Sequence, residues 1–205
     1  MKTMRKEGFE AVRIFFTGVG GQGTLVATRL VGEAALEEGM PVTLSEIHGM
    51  AQRGGVVEST VVVGDLFSPT VADGEADILM AFEPVETLRA LPKCHSESLV
   101  ISNNVPIVPF TVAVGQSSYP SHETIYSLVM EKVAKVVQVD AVALARQAGS
   151  DRAANVAMVG VLAGLNRLPI REASWQAALK RVLPARLFDL NWRAFQRGRE
   201  CGLSA

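Results

Sequence analysis

Apolar residues in this chain fall in short continuous runs that alternate with longer segments of helical spacing. The β-branched and aromatic run at residues 12–17 predicts a buried first strand. A glycine-rich turn follows it, and apolar residues then recur with helical spacing until Gly39 and Pro41 end the predicted helix. Residues 42–46 are the expected second strand, which completes a β-turn-α-β unit.

The rest of the chain continues the same alternation. Residues 56–63 alternate loosely around polar positions, which predicts a half-exposed strand at or near a sheet edge. The spacing predicts further strands at residues 77–82, 99–102 and 136–139, and helices at residues 84–90, 122–134, 141–148, 155–165, 171–183 and 185–199. Residues 111–120 have a Gly/Ser/Pro-like composition and are expected to form a loop.

Alternating strands and helices favour an α/β fold in which helices cover both faces of a parallel sheet. With 205 residues, of which 48% are hydrophobic and 20% charged, the chain can bury the core of one domain. We therefore expect residues 1–205 to form a single three-layer, Rossmann-like domain with an open, mostly parallel sheet.

The charge balance and the cysteine count argue against several functions. Because 20 basic residues nearly cancel 21 acidic ones, no long-range field favours nucleic acid or an anionic membrane. The two cysteines, Cys94 and Cys201, are too few for an iron-sulfur cluster and are expected to be reduced thiols. The N-terminus lacks the apolar core of a signal peptide, and no segment approaches about 18 uninterrupted apolar residues, so a cytoplasmic location is expected.

The turn after the first strand has the pattern G-x-G-x-x-G. Its residues are Gly18, Val19, Gly20, Gly21, Gln22 and Gly23. Such a turn presents backbone N–H groups at a helix N-terminus, where unsatisfied donors and the helix dipole attract a phosphate or a carboxylate. The pattern alone is weakly specific, because some α/β proteins use it only to pack the helix against the strand.

A second loop of unusual composition follows the predicted second strand. Residues 47–55 contain His48, Gln52, Arg53, Gly54 and Gly55. This loop is expected at the carboxyl edge of the sheet, where ligands bind in open parallel sheets. The glycine pair can form a backbone nest beside the arginine, which predicts a second anion-binding element. The alternative is that Arg53 forms an ordinary surface ion pair and that His48 caps a turn.

The predicted helix at residues 155–165 is apolar on nearly all sides. Gly160 and Gly164 lie four residues apart in it, so a neighbouring element can approach very closely. The helix is therefore either central to the domain or covered by another subunit. Asn155, at its start, needs a buried partner or a ligand.

The chain shows no convincing set of catalytic residues. The three histidines are scattered without metal-ligand spacing, and neither a G-x-S-x-G elbow nor a G-K-[ST] sequence is present. We therefore assign no catalytic residue and no metal site. A dinucleotide site stays open, because Glu46 lies 23 residues beyond Gly23, where a ribose-binding acid is expected.

The two loops together carry a resemblance to a known family. Residues 16–23, FTGVGGQG, followed by residues 45–55, SEIHGMAQRGG, resemble the gamma-type domain of 2-oxoacid:ferredoxin oxidoreductases. The form HGMAQRGG is similar to that of the beta-subunit group that acts on indolepyruvate. Thr24 departs from the family, in which an aliphatic residue is frequent after the glycine turn, and residues 111–120 match no feature of it.

The resemblance implies a subunit of a complex that decarboxylates arylpyruvates oxidatively to aryl-acetyl-CoA and passes electrons to ferredoxin. It also implies that thiamine diphosphate and the iron-sulfur clusters belong to a large alpha subunit. This chain would bind no cofactor alone and would be inactive alone, although the isolated chain could form a homodimer. It would contribute residues 20–23 and 53–55, with His48 and Gln52, to the composite active site and the coenzyme A region.

Two other functions remain open on the sequence. One is a stand-alone nucleotide- or dinucleotide-binding enzyme that uses the same glycine turn. The other is a purely structural subunit, whose glycine loops pack against a partner and contact no ligand.

Overall fold

A computed structural model describes residues 9–48, 55–66 and 68–205 of this chain, with only the backbone described at His48, Phe110 and Thr111. The described strands and α-helices are, in chain order, β1 (Val12–Val19), α1 (Thr24–Glu37), β2 (Val42–His48), β3 (Val56–Val63), β4 (Ala76–Ala81), α2 (Pro84–Ala90), β5 (Cys94–Asn103), α3 (Phe110–Ala113), α4 (His122–Lys132), β6 (Lys135–Val139), α5 (Ala141–Ala148), α6 (Ala154–Gly164), α7 (Glu172–Val182) and α8 (Phe188–Leu203). The predicted strands and helices are thus confirmed in type, with shifted ends. The expected loop at residues 111–120 begins inside the short helix α3.

The described strands form one six-stranded sheet in the order β2-β3-β1-β4-β5-β6. Strands β1, β4, β5 and β6 are mutually parallel, whereas β3 runs antiparallel to both β1 and β2. Five of the six strands therefore point the same way, which confirms an open, mostly parallel sheet. Their carboxyl ends meet at a single edge, where β3 begins.

The position near a sheet edge that was predicted for residues 56–63 is confirmed, because β3 is next to the edge strand, whereas the predicted half-exposure is wrong. The edge strand is β2, and β3 lies inside the sheet between β2 and β1, with Ser59 onward buried. The two hydroxyl residues of β3 misled the prediction because both have an internal partner. Ser59 shares a hydrogen bond of 2.6 Å with Thr28 of α1, and Thr60 donates one of 2.6 Å to the carbonyl of Pro69. Buried hydroxyls that are paired in this way carry little penalty.

Each face of the sheet has its own hydrophobic core. On one face, Phe16, Met80 and Ile101 pack with buried residues of α1, α6, α7 and α8. On the other face, Phe15 and Leu79 pack with buried residues of α2 and α4. Successive strand residues point to opposite faces, so adjacent side chains enter different cores. The result is the expected three-layer arrangement.

Helices α6 and α8 cross at four glycines. Gly160 and Gly164 of α6 face the backbone of α8, and Gly198 and Gly202 of α8 face the backbone of α6. Nearly every residue of α6 is buried. The predicted close approach to this helix is therefore confirmed, and the element that approaches it is a helix of the same chain.

Among the described residues, no helix is long and apolar enough to cross a membrane.

Candidate functional site

The glycine turn connects the carboxyl end of β1 to the first residue of α1. Gly21 and Gly23 have φ values of +101° and +79°, in the left-handed region that favours glycine. Gly23 is the N-cap of α1, and no side chain caps this helix. The N-terminal donors of α1 are thus presented without a side-chain acceptor, as the sequence pattern predicts.

The second loop ends directly beside this turn. The N–H of Gly20 donates a hydrogen bond of 2.9 Å to the carbonyl of Gly55, and Val19 lies opposite Val56 in the β1–β3 register. His48 is the last residue of β2 and lies opposite Val57. The structure therefore places Gly20, Gly55 and the backbone of His48 at one sheet edge. Gln52, Arg53 and Gly54 lie outside the described residues.

Two side-chain amides connect the strand ends at this edge. Gln22 accepts a hydrogen bond from the N–H of Val19 at 2.7 Å and donates one to the carbonyl of Phe82 at 2.6 Å. Asn103 donates to the same carbonyl at 3.1 Å and accepts from the N–H of Ala141 at 3.1 Å. The amide of Gln22, predicted to contact a ligand, thus holds the glycine turn against the end of β4. Gln22 therefore shapes this edge by hydrogen-bonding two backbone groups of the protein itself.

A cleft of about 200 Å³ opens beside the turn, on the side away from β3. Its lining residues are Gly21, Gln22, Phe82, Asn103, Val105, Ile107, Ala141, Val142, Asp151, Arg152, Ala154, Asn155 and Met158. The walls are mostly apolar, and the polar groups converge at the ends of β5 and α6. An apolar cleft with a few convergent polar groups at the carboxyl edge is the usual form of a ligand site in an open α/β sheet.

Three helices begin at this cleft, namely α1, α5 and α6. The N-cap positions of α1 and α6 provide no side-chain hydrogen bond, whereas Asp140 caps α5 through the N–H of Ala143 at 2.7 Å. Helix N-termini carry partial positive charge. Arg152 lines the same cleft, is exposed, and has no carboxylate partner within the described part of the chain. Asp151 is the acidic residue of the lining. The dipoles and the guanidinium together can hold an anion.

Asn155 connects the first turn of α6 to the glycine turn. Its side-chain N–H donates a hydrogen bond of 3.2 Å to the carbonyl of Gly23. The buried partner that Asn155 was expected to need is therefore a backbone carbonyl of the same chain. Because a Cβ at Gly23 would lie 2.9 Å from Cγ of Asn155, glycine is required here for space as well as for its φ value.

A model of the pyruvate ferredoxin/flavodoxin oxidoreductase family matches residues 13–201. The chain belongs to this family. It is 40% identical over 185 residues to the indolepyruvate oxidoreductase subunit IorB of Methanothermobacter thermautotrophicus, covering 90% of this chain and 94% of that one. It is 36% identical to the IorB subunit of Archaeoglobus fulgidus, covering 91% and 93% of the two chains.

Solved structures of other proteins share the fold. The gamma subunit of a keto/oxoacid ferredoxin oxidoreductase from Geobacter sulfurreducens superposes with a TM-score of 0.70 at 21% identity, covering 95% of this chain and 99% of that one. The 2-oxoglutarate:ferredoxin oxidoreductase of Magnetococcus marinus gives a TM-score of 0.74 at 17% identity, covering 96% of this chain and 32% of that one. In that protein the same fold is therefore part of a longer chain.

The position of Glu46 disfavours a dinucleotide site in this family member. Glu46 lies on the edge strand β2 and pairs with Arg29 at 3.5 Å. Strand β3 separates β2 from the strand that carries the glycine turn. A ribose-binding acid belongs at the end of the strand adjacent to that turn. The inserted antiparallel strand therefore removes the geometry on which this alternative depended.

The sequence interpretation missed Asn103 and Arg152 as residues of the site. Asn103 ends a predicted strand, so the rule that ligands bind at carboxyl ends would have found it if it had been applied to every strand. Arg152 had no signal of its own, because its position depends on how α6 packs beside the glycine turn. Among the described residues, no group of three or more His, Cys, Asp or Glu is placed to hold a metal ion.

Proposed function

We propose that this chain, as one gamma-type domain over residues 1–205, is the small subunit of an indolepyruvate:ferredoxin oxidoreductase. The observation that carries the proposal is the match to curated IorB subunits over at least nine-tenths of both chains. In the proposed reaction, an arylpyruvate loses CO₂, its electrons pass to ferredoxin, and the acyl group is transferred to the thiol of coenzyme A. The complex works in the cytoplasm.

The proposal assigns the redox cofactors to a large alpha subunit. An iron-sulfur cluster of the common type needs about four cysteine thiolates, whereas this chain has two cysteines. Cys94 is buried on the face of α2 and α4, and Cys201 lies in α8 on the other face. These residues do not fit a cluster. The proposal therefore places the clusters in the partner, together with thiamine diphosphate, and this chain is inactive without it.

Within the complex, we assign the cleft edge to the anionic part of coenzyme A. The cradle consists of Gly18, Gly20, Gly21, Gln22, Gly23, His48, Gln52, Arg53, Gly54 and Gly55, and we extend it to Arg152. This assignment is supported by the convergence of three helix N-termini, of which only α5 is capped by a carboxylate, beside an exposed arginine that has no carboxylate partner among the described residues. In the cradle, the turn offers backbone donors, and the arginines offer guanidinium groups suited to phosphate.

The test uses Arg53→Ala and Arg152→Ala in the assembled complex, with Arg167→Ala as the matched control. Arg167 is also exposed and unpaired within the described residues, but it lines a separate cavity next to Asp77, at the opposite edge of the sheet. Loss of one phosphate contact is expected to raise KM for coenzyme A about tenfold, which corresponds to about 1.4 kcal/mol. The control should leave KM unchanged.

Normal assembly with an unchanged KM for coenzyme A in both test variants would show that the cradle assignment is wrong. The subunit assignment is tested separately, by co-expressing this chain with a thiamine-binding partner and measuring ferredoxin reduction with indolepyruvate. No reduction by a complete, cofactor-loaded complex would reject it.

A second candidate is a structural subunit. It is favoured by the internal use of two groups that were expected to face a ligand, the N–H of Gly20 and the amide of Gln22. This alternative predicts that variants of the glycine turn lose binding to the partner before they lose affinity for coenzyme A. Size-exclusion chromatography of the variants alongside the KM measurements distinguishes the two functions.

A further inference from the structure

The segment between β5 and α4, residues 104–121, forms one side of the cleft at its start. Val105 and Ile107 line the cleft. Ile107 and Val108 are nevertheless 42% and 52% exposed, so burial of their side chains holds this segment only weakly. Other contacts must therefore fix the backbone at Ile107.

These contacts come from the buried carboxylate of Glu83, which is 2% exposed. One oxygen caps α2 by accepting hydrogen bonds from the N–H groups of Val85 at 2.7 Å and Glu86 at 3.0 Å. The other accepts a hydrogen bond of 3.2 Å from the N–H of Ile107 and one from the hydroxyl of Tyr119. No Lys or Arg within the described residues pairs with this carboxylate. These four donors therefore stabilise it in place of a counter-charge.

The shared oxygen joins the two ends of the segment. Ile107 lies near its start and Tyr119 near its end, and most residues between them are exposed. The ring of Tyr119 packs against the hydrophobic core beneath α2 and α4. Burial, together with the adjacent Glu83 carboxylate, raises the pKa of the Tyr119 phenol, so its hydroxyl stays a donor at neutral pH.

We propose that Tyr119 is a positioning residue for the cleft, which fixes the wall at Val105 and Ile107 through the oxygen of Glu83 that it shares with Ile107. The inference rests on the proposed function, in which the cleft edge receives coenzyme A. It adds a role for the segment at residues 104–121, which the sequence left unexplained. Tyr119 touches no ligand in this role. It acts by keeping the wall at a fixed distance from the glycine turn.

The test is Tyr119→Phe in the assembled complex, because this change removes the hydroxyl and keeps the packed ring. Tyr126→Phe is the matched control, since Tyr126 is 37% exposed on α4 and its hydroxyl makes no hydrogen bond to the described residues. Hydrogen exchange is measured on peptides that cover residues 104–110, and KM for coenzyme A is measured separately from kcat. Thermal unfolding establishes that both variants are folded.

We expect Tyr119→Phe to increase exchange at the amide of Ile107 at least tenfold and to raise KM for coenzyme A several-fold with little change in kcat. The control should change neither quantity. Unchanged exchange at Ile107 would overturn the link between Tyr119 and the wall, whatever the function of the protein. Increased exchange with unchanged KM would overturn the positioning role. Neither result touches the subunit assignment, which depends on ferredoxin reduction with indolepyruvate.

Discussion

Replacing Gly160 with alanine places a methyl group between two helices that are in backbone contact. The new Cβ would lie 2.9 Å from the carbonyl carbon of Phe195 and 3.0 Å from the backbone nitrogen of Arg199, and closer still to the oxygen of Phe195. Ordinary contacts of a Cβ are 3.4–4 Å. Because the atoms it meets belong to the backbone of α8, no rotamer change can relieve the overlap. The two helices must separate.

The cost can be worked from two opposing effects. Alanine in a helix interior is favoured over glycine by about 1 kcal/mol. Overpacking a core costs about 1–3 kcal/mol, and a gap of roughly 0.5–1 Å along an interface forfeits a quarter to a half of its dispersion energy. Since the crossing at Gly160 brings backbone against backbone, we take the upper end of the overpacking range, about 3 kcal/mol. The net result is a loss of about 2 kcal/mol, or a fall in Tm of roughly 4–8 °C for a chain of this size.

Gly32→Ala in α1 is the matched control, because it is also a glycine in a helix interior. A Cβ there would lie 3.4 Å from Cδ1 of Leu44 and 3.7 Å from Cγ1 of Val42, within ordinary contact. This variant is expected to gain about 1 kcal/mol from helix propensity alone. Thermal and urea unfolding followed by circular dichroism measure both variants. A Gly160→Ala protein with the same Tm as the unmodified protein, or a higher one, would refute the close crossing of α6 and α8.

Three other variants or measurements test separate contacts. Burial by itself raises the pKa of Glu38, but hydrogen bonds, chiefly from Arg171, outweigh it and hold this pKa at about 2, below the ordinary 4.5. The Glu38→Gln variant should therefore lose about 1–3 kcal/mol of unfolding free energy at pH 7. In urea unfolding, the stability difference between the variant and the unmodified protein should shrink only as the pH falls from 4.5 towards 2. Gln22→Leu leaves the N–H of Val19 without its acceptor, whereas the carbonyl of Phe82 keeps its hydrogen bond from Asn103, so the free energy of unfolding should fall by about 1–3 kcal/mol. A smaller loss would show that the amide is dispensable. Burial raises the pKa of the Cys94 thiol to about 11. A thiol reagent at pH 8 should therefore label Cys201 first and Cys94 only on unfolding. Rapid labelling of both cysteines would contradict the buried position of Cys94.

The elements of this fold were predictable from local pattern, whereas the order of the strands was not. Periodicity located β1, α1 and β2, because each buries one face or a continuous run. The insertion of β3 between β2 and β1 depends on pairing across the sheet. Its polar residues were read as exposed, although Ser59 is paired with Thr28 across the layer boundary. A single sequence gives no information on such long-range partners.

In the candidate site, too, local features were predictable from the sequence, whereas long-range contacts were not. The glycine turn and Gly55 were placed at the correct edge because both rest on strand ends, which periodicity locates well. The internal role of Gln22 was missed because it depends on the carbonyl of Phe82, 60 residues away. Gly198 and Gly202 were likewise overlooked, because their spacing has meaning only opposite α6.

Residues 49–54 connect the antiparallel neighbours β2 and β3. The described residues on either side of this connection are fixed by the sheet, His48 through pairing with Val57 and Gly55 through the N–H of Gly20. The entropic cost of closing a loop grows only slowly with length, by about 0.6 kcal/mol per doubling. Loops of other lengths and sequences from family members can therefore be grafted at this point without rebuilding the sheet. Exchange of residues 49–54 would thus change which groups lie beside the glycine turn while leaving the sheet intact.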